Sequence, residues 1–254
     1  MKTPTVSLIP AFENNYFFCG QVGESAFVVD PGHAQEVLDF LKERQLKLKL
    51  ILLTHHHSDH IGGVEELQKQ TGAQVYGPAD LKDHGLKCDR ICRDGDSFEF
   101  ESIKFNTLEI PGHTLDHLAY HAPEPEWLFC GDTLFSLGCG RIFEGTYEQM
   151  FNSLSRLKSL PGSTKVFCAH EYTLVNLKFS LQYLQENKVS DKLLYFYADL
   201  HQKIIFLRAQ NTPTIPSTID FEKQYNLFLK AKTVEEFKKV REARNTFSPA
   251  QTPQ

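Results

Sequence analysis

Leu50-Ile51-Leu52-Leu53-Thr54-His55-His56-His57-Ser58-Asp59-His60-Ile61-Gly62-Gly63 is the stretch that decides how this chain folds. Its first four residues form an apolar run suited to a strand buried on both faces of a covered sheet. The residues from Ile61 onward read as the start of a helix. The histidines therefore lie on a loop at the carboxyl end of a strand, where open α/β sheets gather their ligand sites. His55, His56, His57, Asp59 and His60 put five ligand-type side chains within six consecutive positions. Neutral imidazole suits zinc, iron or manganese, and a carboxylate completes a hard or borderline site. A surface tract or a terminal tag is also rich in histidine, but neither fixes an aspartate between a strand and a glycine pair.

Three further segments end in ligand-type residues. Thr107-Leu108-Glu109-Ile110-Pro111-Gly112-His113, Trp127-Leu128-Phe129-Cys130-Gly131-Asp132 and Lys165-Val166-Phe167-Cys168-Ala169-His170 each carry an apolar run to a His or an Asp. Singly, such residues are turn or cap residues. Together, His55, His57, Asp59, His60, His113, Asp132 and His170 supply seven groups, enough for two metals that share one bridge. A structural zinc would close with about four ligands and keep no open position, whereas a two-metal site with spare positions implies hydrolysis by water.

These motifs carry a resemblance. Thr-His-x-His-x-Asp-His at 54–60, Pro-Gly-His-Thr at 111–114, Gly-Asp-Thr-Leu-Phe at 131–135 and Ala-His-Glu-Tyr-Thr at 169–173 resemble the metallo-β-lactamase fold superfamily. Within it the chain is similar to glyoxalase II, the hydroxyacylglutathione hydrolases. The narrower markers are Gly138-Cys139-Gly140-Arg141-Ile142-Phe143-Glu144-Gly145-Thr146 and Arg241-Glu242-Ala243-Arg244-Asn245-Thr246-Phe247. The likeness spans about Val6 to Phe247. It implies an α/β fold, the αββα sandwich, with a catalytic domain over 1–170, an all-α substrate-binding domain over 171–247 and a disordered tail over 248–254.

The resemblance also implies roles. His55, His57 and His113 would hold one divalent ion, Asp59, His60 and His170 the other, and Asp132 would bridge them, with Asp59 and Asp132 taking part in catalysis. Two zinc ions are the expected cofactors, with iron or manganese as alternatives, because no thiolate restricts the choice. Water activated between the ions would attack the thioester of S-D-lactoylglutathione and release glutathione and D-lactate, the second step of methylglyoxal detoxification. A thiol of ordinary pKa ~8.5 leaves without a general acid, so no serine or cysteine triad is needed. Arg141, Ile142, Phe143, His170, Glu171, Tyr172, Arg241 and Arg244 would line the substrate site. His56 and Ser58 are not expected as ligands. The chain departs from the family with Phe143 for a frequent tyrosine, Arg244 for lysine, Asn245 for aspartate, and no proline after Asn226. The alternatives are a single-iron persulfide dioxygenase or another metallo-hydrolase of the same fold; a non-catalytic scaffold would not need seven ligands.

Composition sets the bounds. A chain of 254 residues, 41% hydrophobic, can bury one large domain and a small appendage. A net charge of −5 lacks the basic face of a nucleic-acid binder. No apolar run reaches the ~20 residues of a membrane span, and the N-terminus carries no signal-peptide pattern, so a cytoplasmic, monomeric enzyme is the expectation. Cys19, Cys130 and Cys168 lie in strand-like runs and read as buried thiols rather than bridges. Cys139 reads as structural, and Cys88 with Cys92 lacks partners for a metal site. An acidic enzyme needs local cations to hold anionic glutathione, and Arg141, Arg241 and Arg244 provide them, the last two three residues apart on one helix face.

Strands are predicted over Val6–Ile9, Phe17–Val22, Ala26–Val29, Leu50–Leu53, Ile103–Ile110, His117–His121, Trp127–Cys130 and Lys165–Cys168. Helices are predicted over Ala34–Gln45, Ile61–Thr71 and Tyr147–Leu160, the last capped by Thr146. Beyond Thr173 only helices are expected, over Leu174–Lys188, Asp191–Asn211, Asp220–Lys230 and Val234–Arg244.

Overall fold

The apolar run ahead of the histidines is the fourth strand of a six-stranded sheet. In the computed structural model, which describes residues 2–187 and 191–248, this sheet is β1 (Thr5–Ala11), β2 (Asn15–Val22), β3 (Ser25–Val29), β4 (Lys47–Leu52), β5 (Gln74–Gly77) and β6 (Arg90–Ile91), in that spatial order. β1 to β3 are antiparallel neighbours, while β3 to β6 run parallel. Parallel strands need crossovers, here α1 (Ala34–Arg44), the single turn α2 (Ser58–Ile61) and α3 (Val64–Thr71). Strand alternation sorts the core into two. Phe18, Phe27, Val29, Leu50 and Leu52 face one cluster, and Phe17, Ala26, Val28 and Ile51 face the other with Val37, Leu41, Val64 and Leu67 of α1 and α3.

The first cluster is shared with a second sheet. Its strands are β7 (Ser97–Phe100), β8 (Ile103–Glu109), β9 (Leu118–Ala122) and β10 (Trp127–Phe129). A hairpin, β11 (Leu134–Phe135) with β12 (Gly138–Cys139), follows, and then β13 (Lys165–Phe167) joins β10 in parallel. Between the sheets Phe27 packs edge-on against Phe100, Phe105 and Phe129 at ring separations of 5.2–5.8 Å. Such edge contacts add about 0.5–1.5 kcal/mol each to the burial itself. α4 (Tyr147–Lys158) contributes Met150, Leu154 and Leu157 to this cluster. Thr146 caps it in a full capping box with Gln149, as the sequence predicts, a device that stabilises by about 1 kcal/mol.

The C-terminal region is α5 (Thr173–Glu186), α6 (Asp191–Ala209), α7 (Ile219–Tyr225), α8 (Leu227–Lys230) and α9 (Val234–Thr246). Three predictions need correction. A strand does occur here, because β14 (Ser217–Thr218) pairs with β13 and finishes the second sheet. The predicted helix from Asp220 to Lys230 is two helices, parted at Asn226, whose extended backbone lets its side chain cap Phe228. The predicted helix from Ile61 is likewise interrupted at Gly62-Gly63, and its first turn already carries Asp59 and His60. The tail from residue 249, and the predicted helix end at Lys188, lie outside the described residues. All six cysteines are free thiols, and among the described residues no helix is long and apolar enough to cross a membrane.

A buried carboxylate ties the helical region to the β11–β12 turn. Leu137 holds a left-handed φ of 58° there, and its N–H donates to Glu222 Oε2 at 2.9 Å. Asn226 donates to the same oxygen and to the carbonyls of Phe135 and Gly138. Burial pushes the Glu222 carboxyl up to about 7, and bonds from Ser217, Asn226, Leu137 and Ser136 offset only part of that rise. An acid whose folded pKa exceeds its ordinary 4.5 leaves stability untouched below that value and costs progressively more as pH climbs through about 7. Glu222→Gln removes this dependence. Its stability relative to the parent should therefore improve by ~2–3 kcal/mol between pH 5 and pH 8, read by urea denaturation of metal-loaded protein. A difference that stays flat with pH would show that the carboxyl titrates normally.

Candidate metal centre

The four strand ends meet. The loop after β4 brings His55, His56 and His57, and α2 adds Asp59 and His60. His113 follows β8, Asp132 follows β10 and His170 follows β13. Two close approaches of backbone permit this. A Cβ on Gly32 would stand 1.9 Å from the Asp59 carbonyl oxygen, and one on Gly140 would stand 1.8 Å from that of Asp132. Glycine is required at both.

The seven predicted ligands form two trios around one carboxylate. His55 Nε2 and His113 Nε2 each lie 3.0 Å from His57 Nδ1. In the second trio, Asp59 Oδ2 lies 3.4 Å from His60 Nε2 and 3.5 Å from His170 Nε2. Asp132 faces both. Its Oδ2 is 3.4 Å from His113 Nε2, and its Oδ1 is 3.5 Å from His60 Nε2 and 3.3 Å from His170 Nε2.

In four of the five rings the far nitrogen is engaged, which fixes how the near one faces the site. His113 Nδ1 donates to the Arg141 carbonyl at 2.7 Å, and His170 Nδ1 to Asn14 Oδ1 at 2.8 Å. His60 Nδ1 lies 3.1 Å from Asp30 Oδ2. Thr54 gives its hydroxyl proton to Asp30, so its oxygen can accept from His55 Nδ1 at 3.0 Å. For His55, His113 and His170 the Nε2 is thus left as a lone pair aimed inward, while the His60 Nε2 points inward between carboxylates. His117, stacked on His55 at 4.6 Å, accepts the Asp132 N–H and donates to the Leu118 carbonyl. Asn15 steadies Asp59 Oδ2 at 2.9 Å. Asp30, Thr54, Asn14, Asn15 and His117 were not singled out in the sequence. Asp30 alone carried a readable signal, since it too ends an apolar strand.

The electrostatics suit a cation. Burial, followed by the other histidines, holds His55 well below the ordinary imidazole range, and burial also lowers His57 and His113, which keeps these rings neutral. Burial opposes charge on His60, yet Asp132, Asp30 and Asp59 together hold it well above the ordinary value. Burial raises the Asp132 carboxyl less than His170, His60 and His113 lower it. His60 Nε2 and Asp132 Oδ1 are buried without a hydrogen-bond partner. An unpartnered nitrogen and carboxylate oxygen in this position are what a divalent ion would satisfy, so the residues fit a metal centre.

A cleft of about 360 Å³ opens beside the centre, lined by His113, Asp132, Phe135, Cys139, Arg141, Phe143, Tyr172, Asn176, Arg241 and Arg244. Tyr172 stacks on His170 at 4.8 Å, and burial, with Asp132 and Asp59, pushes its hydroxyl up to about 12, so it stays protonated. Phe143 is 59% exposed, edge-on to His57 and His113. Cys139 is buried and its thiol is raised by burial, in keeping with a structural part.

Three of the expected substrate contacts also have structural partners or positions within the protein. The Glu171 carboxylate is already bonded to Tyr16 and Thr214 and lies 3.5 Å from Arg208, so it pins α5 and the 212–216 loop. Ile142 packs against the core and is absent from the cleft wall. Arg241 reaches the cleft, but it is buried and donates to the Cys139 carbonyl at 2.8 Å and to Asn245 Oδ1 at 3.0 Å. It holds the cleft wall in shape. Arg244, over Phe179 and Phe247, keeps its cationic edge for a ligand, with only long 3.5 Å contacts to Asn176.

Comparison with known proteins agrees with this architecture. Residues 9–170 match the Metallo-beta-lactamase superfamily, and residues 171–247 match the Hydroxyacylglutathione hydrolase C-terminus. A Bdellovibrio bacteriovorus protein described as a hydroxyacylglutathione hydrolase is 42% identical over 250 residues, covering 96% of this chain and 98% of its own. The crystal structure of the BLEG-1 B3 metallo-beta-lactamase superposes with a TM-score of 0.68 at 21% identity, over 89% of this chain and 100% of that one, a likeness of fold. The protein TTHA1623, crystallised in a di-iron-bound form, gives a TM-score of 0.54 at 29% identity over 65% of this chain and 91% of that one.

Removing the carboxylate behind the ligands tests this geometry. Asp30→Ala takes the shared acceptor from Thr54 and His60 and should weaken metal binding about 10–100-fold, read by competition with a chromophoric chelator. Asp30→Asn keeps one acceptor oxygen and should lose less. Parental affinity in both variants would show that the rings need no such support.

Proposed function

Because the chain belongs to the hydroxyacylglutathione hydrolases of the metallo-β-lactamase superfamily, we propose how its own residues carry out that family's reaction. The chain is a metal-dependent thioesterase that hydrolyses hydroxyacylglutathione, and D-lactoyl is the acyl group we assign to it. His55, His57 and His113 would hold one divalent ion, Asp59, His60 and His170 would hold a second, and Asp132 would serve both. The observation that carries this reading is the division of the Asp132 carboxylate, one oxygen turned to each trio. When bound, the ions supply Lewis acidity and make water a nucleophile near neutral pH; zinc is our choice, with iron or manganese compatible with the same ligands.

The remaining work falls to the cleft. The 1–170 region supplies the chemistry and 171–247 the far wall of the site. Arg141 and Arg244 offer guanidinium forks to glutathione carboxylates, where paired hydrogen bonds exceed a lysine's point charge. Tyr172 keeps its hydroxyl proton and can donate to the peptide. Phe143 gives an apolar rim beside His57 and His113, where a tyrosine would add a hydroxyl. The leaving thiol, of ordinary pKa ~8.5, departs without a dedicated acid. The chain acts as a monomer in this scheme.

Purified protein should hydrolyse S-D-lactoylglutathione, stop on chelation and recover when zinc is returned. No thioester loss from fully metallated protein would overturn the assignment. Arg244→Ala should raise KM about tenfold or more and change kcat less than about twofold, because a lost charged hydrogen bond costs about 1.5–3 kcal/mol in binding and does not touch the reacting atoms. An equal fall in kcat would place Arg244 in the chemical step instead.

A further inference from the structure

A second group of ligand-type side chains stands next to the metal centre and takes no part in it. His56 lies between two predicted ligands, but its ring turns outward onto the short 3-10 turn Ala79–His84. His56 Nδ1 is 2.7 Å from Asp80 Oδ2, and its Nε2 is 3.3 Å from Glu144 Oε1. The His84 ring lies flat on that of His56, with 3.9 Å between centroids and 4° between planes. One ligand atom each from His56, Asp80 and His84 falls within 4.8 Å of the others. Asp80 and His84 both belong to the 3-10 turn, and the measured proximity of their ligand atoms to that of His56, not their spacing, brings them together.

Two further observations favour a cation over a self-sufficient hydrogen-bond cluster. Asp80 Oδ1 is buried and has no hydrogen-bond partner, although Oδ2 is engaged. The surroundings are also strongly acidic. Partial burial, then Asp80, Glu109 and Glu144, hold the neighbouring Asp116 carboxyl above its ordinary range. A positive charge is the missing element of this arrangement.

We propose that His56, Asp80 and His84 form an accessory binding site for a borderline divalent cation of the zinc, nickel or copper class. Two imidazoles and a carboxylate suit such ions, whereas magnesium and calcium seek oxygen ligands throughout. Access is from solvent, through an open cavity of about 630 Å³ lined also by His57, Ser58, Glu65 and Leu86. That cavity shares no lining residue with the substrate cleft. With only three protein ligands and open water on one side, the site binds more weakly than the buried centre.

The test uses full-length, metal-free protein titrated with zinc chloride, with bound zinc read by calorimetry and by elemental analysis after desalting. His84→Ala and Asp80→Asn, both outside the catalytic machinery, should each bind one zinc fewer per chain than the parent, the loss falling in the weakest class. Nickel should compete for that class, and a hundredfold excess of magnesium should not. His84→Ala should keep parental thioesterase turnover, which shows the fold and catalytic centre intact and separates this site from the thioesterase assignment. Equal zinc stoichiometry and equal weak-class affinity in parent and variants would overturn the proposal, and so would displacement by magnesium.

Discussion

Both halves of the metal centre hang from one buried carboxylate that touches no metal ligand site directly except through a ring. Asp30 directly follows β3 with a left-handed φ of 50° and receives the Thr54 N–H, the Thr54 hydroxyl and the far nitrogen of His60. Through Thr54 it also sets the orientation of His55. One side chain thus locks the ends of two parallel strands together and fixes one ring in each trio. A charge this deeply buried is stable only when its lone pairs are met, and here several donors meet them. The rotational freedom of the ligands is removed before any ion arrives, which is what strong and specific ligation demands.

The same logic shapes the opposite wall. The β11–β12 turn carries a strained Leu137 and leads into Gly140 and Arg141, whose carbonyl orients His113. The Phe135–Gly138 pairing closes the turn, and partners from outside hold it further. Glu222 and Asn226 bind it from one side of the helical region, and Arg241 binds Cys139 from another. The helical region is therefore more than a lid that brings cations. It braces the loop that aims a metal ligand, so the two functions of the C-terminal helices cannot be separated physically.

The fold and the convergence of the His and Asp side chains were legible in the sequence for one shared reason: His or Asp recurs where an apolar run ends. Strands without such runs escaped. Gln74–Gly77 offers only Val75 and Tyr76 as strand formers, and the two-residue strands at Arg90 and Ser217 exist only through their partners. The Gly62-Gly63 break was written in the chain, but its cause is spatial. A Cβ on Gly63 would stand 2.5 Å from the His33 carbonyl carbon, so the helix must yield where the Pro31–His33 segment crosses it. The bonds of Arg241 to Cys139 and Gly140 are not legible in the sequence, because these partners lie about a hundred residues away. The partners of Glu171, Tyr16 and Thr214, are likewise distant in sequence, so its internal bonds are not legible locally.

Asn245 and Arg244 acquire a meaning in this setting. Asn245 accepts from Arg241 Nε, the bond an aspartate would also accept, so the shape of the wall is kept. An amide, however, leaves the guanidinium charge uncompensated. Arg244 lies beside it, lowered from the ordinary arginine range first by burial and then by Arg241 itself. The pair repels internally, and that repulsion is relieved by an anion. In a chain of net charge −5, a neutral residue at 245 therefore strengthens the local positive field where anionic glutathione must dock. Lysine at 244 would relax this field by flexing into solvent; arginine, held over two phenylalanine rings, keeps it aimed into the cleft.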